Sequence, residues 1–436
     1  MPCTIDVQDL KLGMFIRLKT GWLSHPFPLS SFRITSAEQI VVIRGLGLKT
    51  VSWYPEKSEV VEPSSPGFGR LAAGTGPATA PDPEPAGAGG DETQRRALQR
   101  RELLGLQRRA LQQCQSQYDE AAQALQQTCA LASARPREAA QQAQALAAAM
   151  LEKMLGDGEL CIRLLSSACN DRAAAHALNV AVISLLMGRT IGMPEAELLE
   201  LGTGALLHDI GKLDLPLRVH MPEGGFGSTE LKAYRDHVAL GVARGRRMEL
   251  PAGALAVLAQ HHELGDGSGF PERLPLDSIA PAARLVALVN RYDNLCNPGP
   301  RGSALTPHEA VSTLFAQNRG QFDMAILSGF IRMMGVYPAG SVVQLTDDRF
   351  ALVMQVNSSR PLKPRVLVYD PGVPRDEALL LDLEQAPDLG IRRSLAPSKL
   401  SPAAAAYLAP RQRVGYYFDL AEPLKEEEAA ALSEAS

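Results

Sequence analysis

No two cysteines in this chain stand in a C-x-x-C arrangement; Cys3, Cys114, Cys129, Cys161, Cys169 and Cys296 are scattered along it. That excludes a small disulfide framework and a thiolate zinc site, and it fits a reducing, cytoplasmic setting. The start, MPCTIDVQDLKLGMF, lacks a basic leader followed by an apolar stretch. No run reaches about 18 uninterrupted apolar residues, so no membrane span is expected. Positive charge is not in excess either. With a net charge of −4 and a pI near 6.1, no global field favours nucleic acid or an anionic membrane. An anionic ligand would have to be held by local groups.

At 436 residues the chain is long for one domain of roughly 100 to 200 residues, and its composition changes along the way. Residues 1–61 read as a small α+β module, with strand-like GMFIRL and KTVSWY and a capping-box pair, Thr35 and Glu38, ahead of QIVVIRGL. Trp22 and Trp53 fit its core. Residues 62–91 are so rich in Pro, Gly and Ala that they read as a linker. From 92 to 155 the composition of Ala, Gln, Leu and Arg predicts one long helix. Leu104, Leu111, Tyr118 and Leu125 recur there every seven residues, whereas the companion positions Arg108, Gln115, Ala122 and Cys129 make a poor seam. A homodimer through this helix and a packed or solvated single helix are both open. Residues 156–335 read as consecutive helices. Residues 336–420, with GSVVQLTDDRFALVMQV and PRVLVYD, read as a small C-terminal β unit, and 421–436 form an acidic tail. The fold class is therefore mainly α: a helical bundle flanked by small α+β and β units.

Six of the eight histidines lie between 176 and 262. After a cap at Asn170 or Asp171, His176 shares a helical stripe with Val180, Ile183 and Met187. In the next helix, opened by Pro194, the stripe Leu198, Leu201, Ala205 ends on His208, with Asp209 beside it. His237 sits one turn from Ala233 and Leu240, and His261 and His262 follow Leu255 and Leu258. A lone inward histidine is ordinarily a satisfied core residue. Five of them with a carboxylate, on four successive helices, would each carry a desolvation cost unless they shared a partner, and a divalent metal satisfies several at once. Nitrogen and oxygen ligands without thiolate suit iron or manganese first, with zinc also acceptable, and their number suggests two ions.

This pattern resembles the HD-GYP domain, a bacterial subfamily of the HD metal-dependent phosphohydrolases. The resemblance runs from about 165 to 335 and preserves order and spacing: HALNVA at His176, LLHDIGK, His237, and HHELGDGSGFP at 261–271. It implies an HD-type helical bundle that hydrolyses cyclic di-GMP to pGpG, GMP or both through a metal-bridged hydroxide. Residues 1–61, with GMFIRL and WLSHPF, also resemble the small domain found before some HD-GYP domains. Carried over by position, the metal ligands are His176, His208, Asp209, His237, His261 and His262, with Asp209 the bridge and Lys212 facing the phosphate. The loop of Asp266, Gly267, Gly269, Phe270 and Pro271 has two readings: a helix-ending turn, and a contact for a diguanylate cyclase or adaptor.

The chain departs from the family in four places. Asn290 stands where the family has an aspartate in a V-A-D-x-F/Y-D-A-L run, with Asp293 one turn on and in reach of the site through a water. Ligation by Asn290 and a supporting role are both open. Arg172 replaces the glutamate that supports a third metal, CNPGPRG replaces a D-R-P-Y-R-like run and leaves Arg301 as a phosphate or guanine contact, and Phe270 replaces the tyrosine of the family name. The leading expectation is a cyclic di-GMP phosphodiesterase. The alternatives are a catalytically weakened cyclic di-GMP receptor or adaptor, and a nucleotidase of the wider HD superfamily.

Overall fold

The computed structural model describes residues 3–18, 31–34, 40, 43–44, 48–58, 88–155, 160–165, 171–220, 226–299, 302–317, 320–357, 360–410 and 413–420. Trp22 and WLSHPF, the Thr35 and Glu38 pair, the linker from 62 to 87, Cys169, Asn170, Arg301 and the tail at 421–436 lie outside them. The chain divides into two compact units, Met1–Glu102 and Leu103–Ser436.

In the first unit, β1 (Cys3–Asp6), β2 (Phe15–Arg17), β3 (Ser31–Arg33) and β4 (Thr50–Trp53) form one sheet in the order β1-β4-β2-β3, antiparallel throughout. Ile16, Ile34, Ile43 and Val51 are fully buried, with Trp53 packed against them. Trp53 is thus part of the small core expected of it.

Helix α1 (Ala88–Leu131) starts inside the stretch read as linker, and α2 (Pro136–Leu155) follows after a break. The predicted single helix is therefore two. The reason is local: a proline disfavours helical backbone at the residue before it, here Arg135. Three of the four stripe residues turn into the protein, whereas Leu111 is half-buried at its surface. Leu104, Tyr118 and Leu125 are buried inside the second unit, and the Tyr118 ring meets Tyr417 edge-on at 6.1 Å.

The bundle continues with α3 (Arg172–Thr190), α4 (Glu195–Leu207), α5 (Ser228–Arg247), α6 (Ala252–Gln260), α7 (Pro281–Cys296), α8 (Pro307–Gln317) and α9 (Met324–Met334). Asp171 caps α3, accepting from the backbone of Ala173 and Ala174. By length and composition α3 could cross a membrane, yet 72% of its apolar window is buried inside the protein, where it packs on α4 and α7. Small residues bring the other helices close. Ala147 of α2 lies against Gly202 of α4, and Val257 of α6 against Gly204.

One strand interrupts the run that reads as consecutive helices. Residues Leu160–Leu164 form β5, which sits between β7 (Phe350–Asn357) and β11 (Tyr416–Leu420) in a sheet of seven strands among the described residues, its main path running from β10 (Ile391–Leu395) through β6 (Val342–Leu345), β7 and β5 to β11. β8 (Arg365–Val368) and β9 (Leu381–Asp382) complete it, and the short α10 (Pro402–Leu408) precedes β11. The C-terminal strands thus share a sheet with a segment that lies ahead of the histidine helices in the chain. All five residues of β5 are buried, so the sequence shows no alternation to mark a strand.

Candidate metal centre

Four helices and their ends deliver the predicted residues to one place. His176 projects from the first turns of α3, His208 caps the C-terminus of α4, His237 lies in the middle of α5, and His261 caps the C-terminus of α6. Asp209 and His262 each follow a capping histidine. Two groups of ligand atoms form, each with its atoms within 4.8 Å of one another: Asp209, His237, His261 and His262, and His176, His208 and Asp209. Asp209 belongs to both. Its Oδ1 faces His237 Nε2 at 3.4 Å and His261 Nε2 at 3.8 Å, and its Oδ2 faces His208 Nε2 at 3.5 Å and His176 Nε2 at 3.8 Å.

The backbone decides which nitrogen of each ring points inward. Nδ1 of His208 meets Ala205 O at 2.8 Å, Nδ1 of His237 meets Tyr234 O at 2.5 Å, and Nδ1 of His261 meets Leu258 O at 3.1 Å. A carbonyl only accepts, so each Nδ1 carries the hydrogen and each Nε2 presents a lone pair. The Nε2 atoms of His237 and His261 are 3.2 Å apart, as are those of His176 and His208. Lone pairs at that distance repel unless a cation lies among them. Burial, the largest cause, pushes His237 down to about 4 and holds His261 and His262 well below the ordinary histidine value, so these rings are neutral at pH 7. Asp209 Oδ1 is buried and has no hydrogen-bond partner among the described residues. Burial would raise this carboxyl, but Lys212 and the imidazoles outweigh it and hold it well below the usual carboxylate range. A negative, unpartnered oxygen ringed by neutral imidazole lone pairs fits divalent ions of mixed nitrogen and oxygen preference.

Lys212 Nζ donates to Asp209 Oδ2 at 2.6 Å and lies 5.3 Å over the Tyr234 ring. Burial would lower the ammonium pKa; pairing with Asp209 raises it overall. The glycine of LLHDIGK has a steric reason. A Cβ on Gly211 would stand 2.0 Å from His237 O and 2.4 Å from Gly241 N, so only glycine lets the turn after His-Asp lie against α5. Arg244 ties the same turn down, donating to Asp214 Oδ1 at 2.5 Å and Ser133 Oγ at 2.7 Å.

The GSGFP loop works inward. Phe270 stacks on His262 with centroids 4.4 Å apart and donates its N–H to His262 O at 3.1 Å. Gly269 lies flat against the 262–264 backbone, where a Cβ would be 2.4 Å from Leu264 N. Asp266 is exposed and accepts from Ser268, and Gly267 adopts a positive φ of 74°. Glu263, third in the HHE triplet, is buried and accepts from the backbone N–H groups of Glu272, Arg273 and Leu274 at 2.6, 3.2 and 2.9 Å, pinning the far side of the loop just after Pro271.

Two positions differ from expectation. Asp293 does not approach through a water: its Oδ2 accepts directly from His176 Nδ1 at 2.6 Å and so orients that imidazole. Asn290 is buried, and its Oδ1 accepts from Asn294 Nδ2 at 2.7 Å. That amide oxygen therefore has a partner within its own helix. Tyr234 was not singled out from the sequence. It sits one turn before His237 on the buried face of α5, which runs through Tyr234, His237, Val238 and Gly241 rather than through Ala233 and Leu240, and its Oη lies 3.4 Å from His262 Nε2. Its spacing of three from a ligand was the available signal. Arg172, at the family's third-metal position, donates to the carbonyl of Pro298.

Comparison with known proteins gives two family matches: "Domain of unknown function (DUF3391)" over residues 3–143 and "HD domain" over residues 159–326. A relative from Pseudomonas aeruginosa, "Cyclic di-GMP phosphodiesterase PA4108", is 28% identical over 373 residues, covering 84% of each chain. "Cyclic di-GMP phosphodiesterase response regulator RpfG" from Xanthomonas campestris is 31% identical over 150 residues, which is 34% of this chain and 39% of that one. "3'3'-cGAMP-specific phosphodiesterase 2" from Vibrio cholerae is 30% identical over 152 residues, 34% of this chain and 29% of its own.

Proposed function

We propose that this chain, an HD-GYP member of the HD-domain proteins, is a two-metal phosphodiesterase that opens cyclic di-GMP to linear pGpG, with GMP as a further product of the same site. The observation that carries this reading is the convergence of four histidine Nε2 atoms on Asp209, whose Oδ1 is buried without a hydrogen-bond partner among the described residues. Residues His176, His208 and Asp209 would hold one ion, and Asp209, His237, His261 and His262 the other. Bound there, divalent ions supply Lewis-acid charge and lower the pKa of water, the chemistry that phosphodiester hydrolysis needs.

The remaining work falls to the chain. Asp209 brings the one negative charge into both ligand groups. Lys212 carries a positive charge at the rim of the same site, where a phosphate gains negative charge as the P–O bond breaks. Tyr234 and Phe270 pack their rings against His262 and fix its place.

The test is turnover of cyclic di-GMP by protein purified without oxygen, with bound metal counted on the same sample and a His208→Ala, Asp209→Ala double variant as control. Product with about two ions per chain and a dead control supports the proposal. Metal-loaded protein that leaves the substrate intact refutes it. A parallel arm with 3'3'-cGAMP distinguishes the two cyclic dinucleotides.

A second reading, a receptor with lost turnover, is favoured by Asn290 and its hydrogen bond to Asn294. Asn290→Asp separates the two. A working enzyme changes by less than about tenfold, whereas a degenerate site gains far more than the roughly 10- to 100-fold effect typical of shells around a metal.

A further inference from the structure

The carboxylate behind His176 is itself held by the C-terminal strand. Asp293 is 1% exposed; with Oδ2 on His176 Nδ1, its Oδ1 accepts from Asn179 Nδ2 at 2.7 Å and from Asn297 Nδ2 at 2.9 Å. Both amides reach the same short segment, Val414 to Tyr416, at the start of β11. Asn179 also donates to Val414 O at 3.0 Å and accepts from Tyr416 N at 2.9 Å. Asn297 donates to Val414 O at 2.9 Å and accepts from Val414 N at 2.9 Å. Every hydrogen-bonding group of the two side chains has a partner, so neither amide can flip without losing bonds.

This segment is anchored in turn. Leu165 N donates to Gly415 O at 3.0 Å, β11 pairs with β5 from Tyr416 to Leu420, and the Tyr416 and Tyr292 hydroxyls meet at 2.9 Å beside Asp293. Residues more than a hundred positions apart therefore set the direction of one imidazole.

We propose that the 414–416 backbone is a working part of the metal centre: gripped by Asn179 and Asn297, it fixes Asp293 and thereby aims His176 at its ion. Asn179 and Asn297 are positioning residues, and the C-terminal sheet, whose role is not readable from sequence, acquires one. The inference rests on the metal-dependent reading above. It predicts an asymmetric effect, because the grip touches the His176, His208 and Asp209 group and not the His237, His261 and His262 side.

The experiment is a chelator titration of the full-length chain loaded with manganese(II), counting the ions that remain, for wild type, Asn179→Ala, Asn297→Ala and Asn297→Asp. In the alanine variants one ion of two should leave at about 10- to 100-fold lower chelator concentration while the other stays at the wild-type value. Asn297→Asp keeps an acceptor for Val414 N but sets a second carboxylate against Asp293, so it should weaken the same ion at least as much. Asn297 is only partly buried and decides the matter if Asn179→Ala does not fold. Release of both ions together, or no change in either, overturns the positioning role while leaving the enzyme reading intact. Retention of both ions by Asn297→Asp also overturns it. Wild-type protein that holds neither manganese nor, loaded without oxygen, iron(II) overturns both.

Discussion

Gly211 lies beneath the carbonyl of His237 so closely that a Cβ there would be 2.0 Å from the oxygen, with Gly241 N 2.4 Å away. Both neighbours are backbone and cannot rotate aside. Gly211→Ala should therefore push α5 off the His-Asp turn, costing on the order of 3 kcal/mol. His237 moves with its helix, so the variant should also lose metal. Urea unfolding and metal counts check both, and a variant with wild-type stability would contradict the packing described.

Lys212→Ala removes the ammonium that lies 2.6 Å from Asp209 Oδ2 without removing a metal ligand. Loss of one preorganised charge of this kind lowers kcat by about 100- to 1,000-fold. Metal content should stay at the wild-type level. Steady-state kinetics with metal analysis on the same preparation would show it, and equal loss of metal and rate would mean that Lys212 acts by holding Asp209 in place instead.

Glu263→Ala leaves the N–H groups of Glu272, Arg273 and Leu274 without their acceptor. Unmet hydrogen bonds to a buried carboxylate cost about 1 to 3 kcal/mol each, so a total on the order of 3 kcal/mol is expected after local relaxation. Glu263→Gln keeps one carbonyl oxygen and should lose less. Amide hydrogen exchange should rise at 272–274 in Glu263→Ala; unchanged protection there would contradict the pinning role.

The metal-free chain should lose stability on acidification in a defined window. His237 has its pKa lowered from 6.5 to about 4, so between these values the unfolded chain binds more protons than the folded one. Stability is then complete above about pH 6.5 and falls as the pH drops to about 4, by on the order of 3 kcal/mol for this residue. His261 and His262, also shifted down, add to the same trend. Urea unfolding of chelator-treated protein across pH 4 to 7 would reveal it, and a flat profile would refute it.

The histidines and the aspartate that cluster were legible in the sequence because each is a local event. A helical stripe ending in histidine, a His-Asp pair before Gly-Lys, and a His-His-Glu triplet are patterns within a few residues. They suffice to predict which imidazoles enter one interior. Tyr234 is available by the same logic, three residues before His237, although a tyrosine on a buried face is ordinarily core.

What the tertiary structure decided has no local signature. The break at Pro136 could be read from one residue, but β5 could not, since a five-residue buried run looks alike as helix or strand. Asp293 sits one helical turn beyond Asn290, and nothing in that spacing says that it points at His176, 117 positions earlier in the chain. Nor does any spacing link Asn179 to Tyr416 across 237 residues. By itself the sequence determined which groups could bind metal, through side-chain chemistry and helical period. Packing alone decided which of them face one another and what holds them there, because hydrogen bonds between distant segments exist only once the chain has closed on itself.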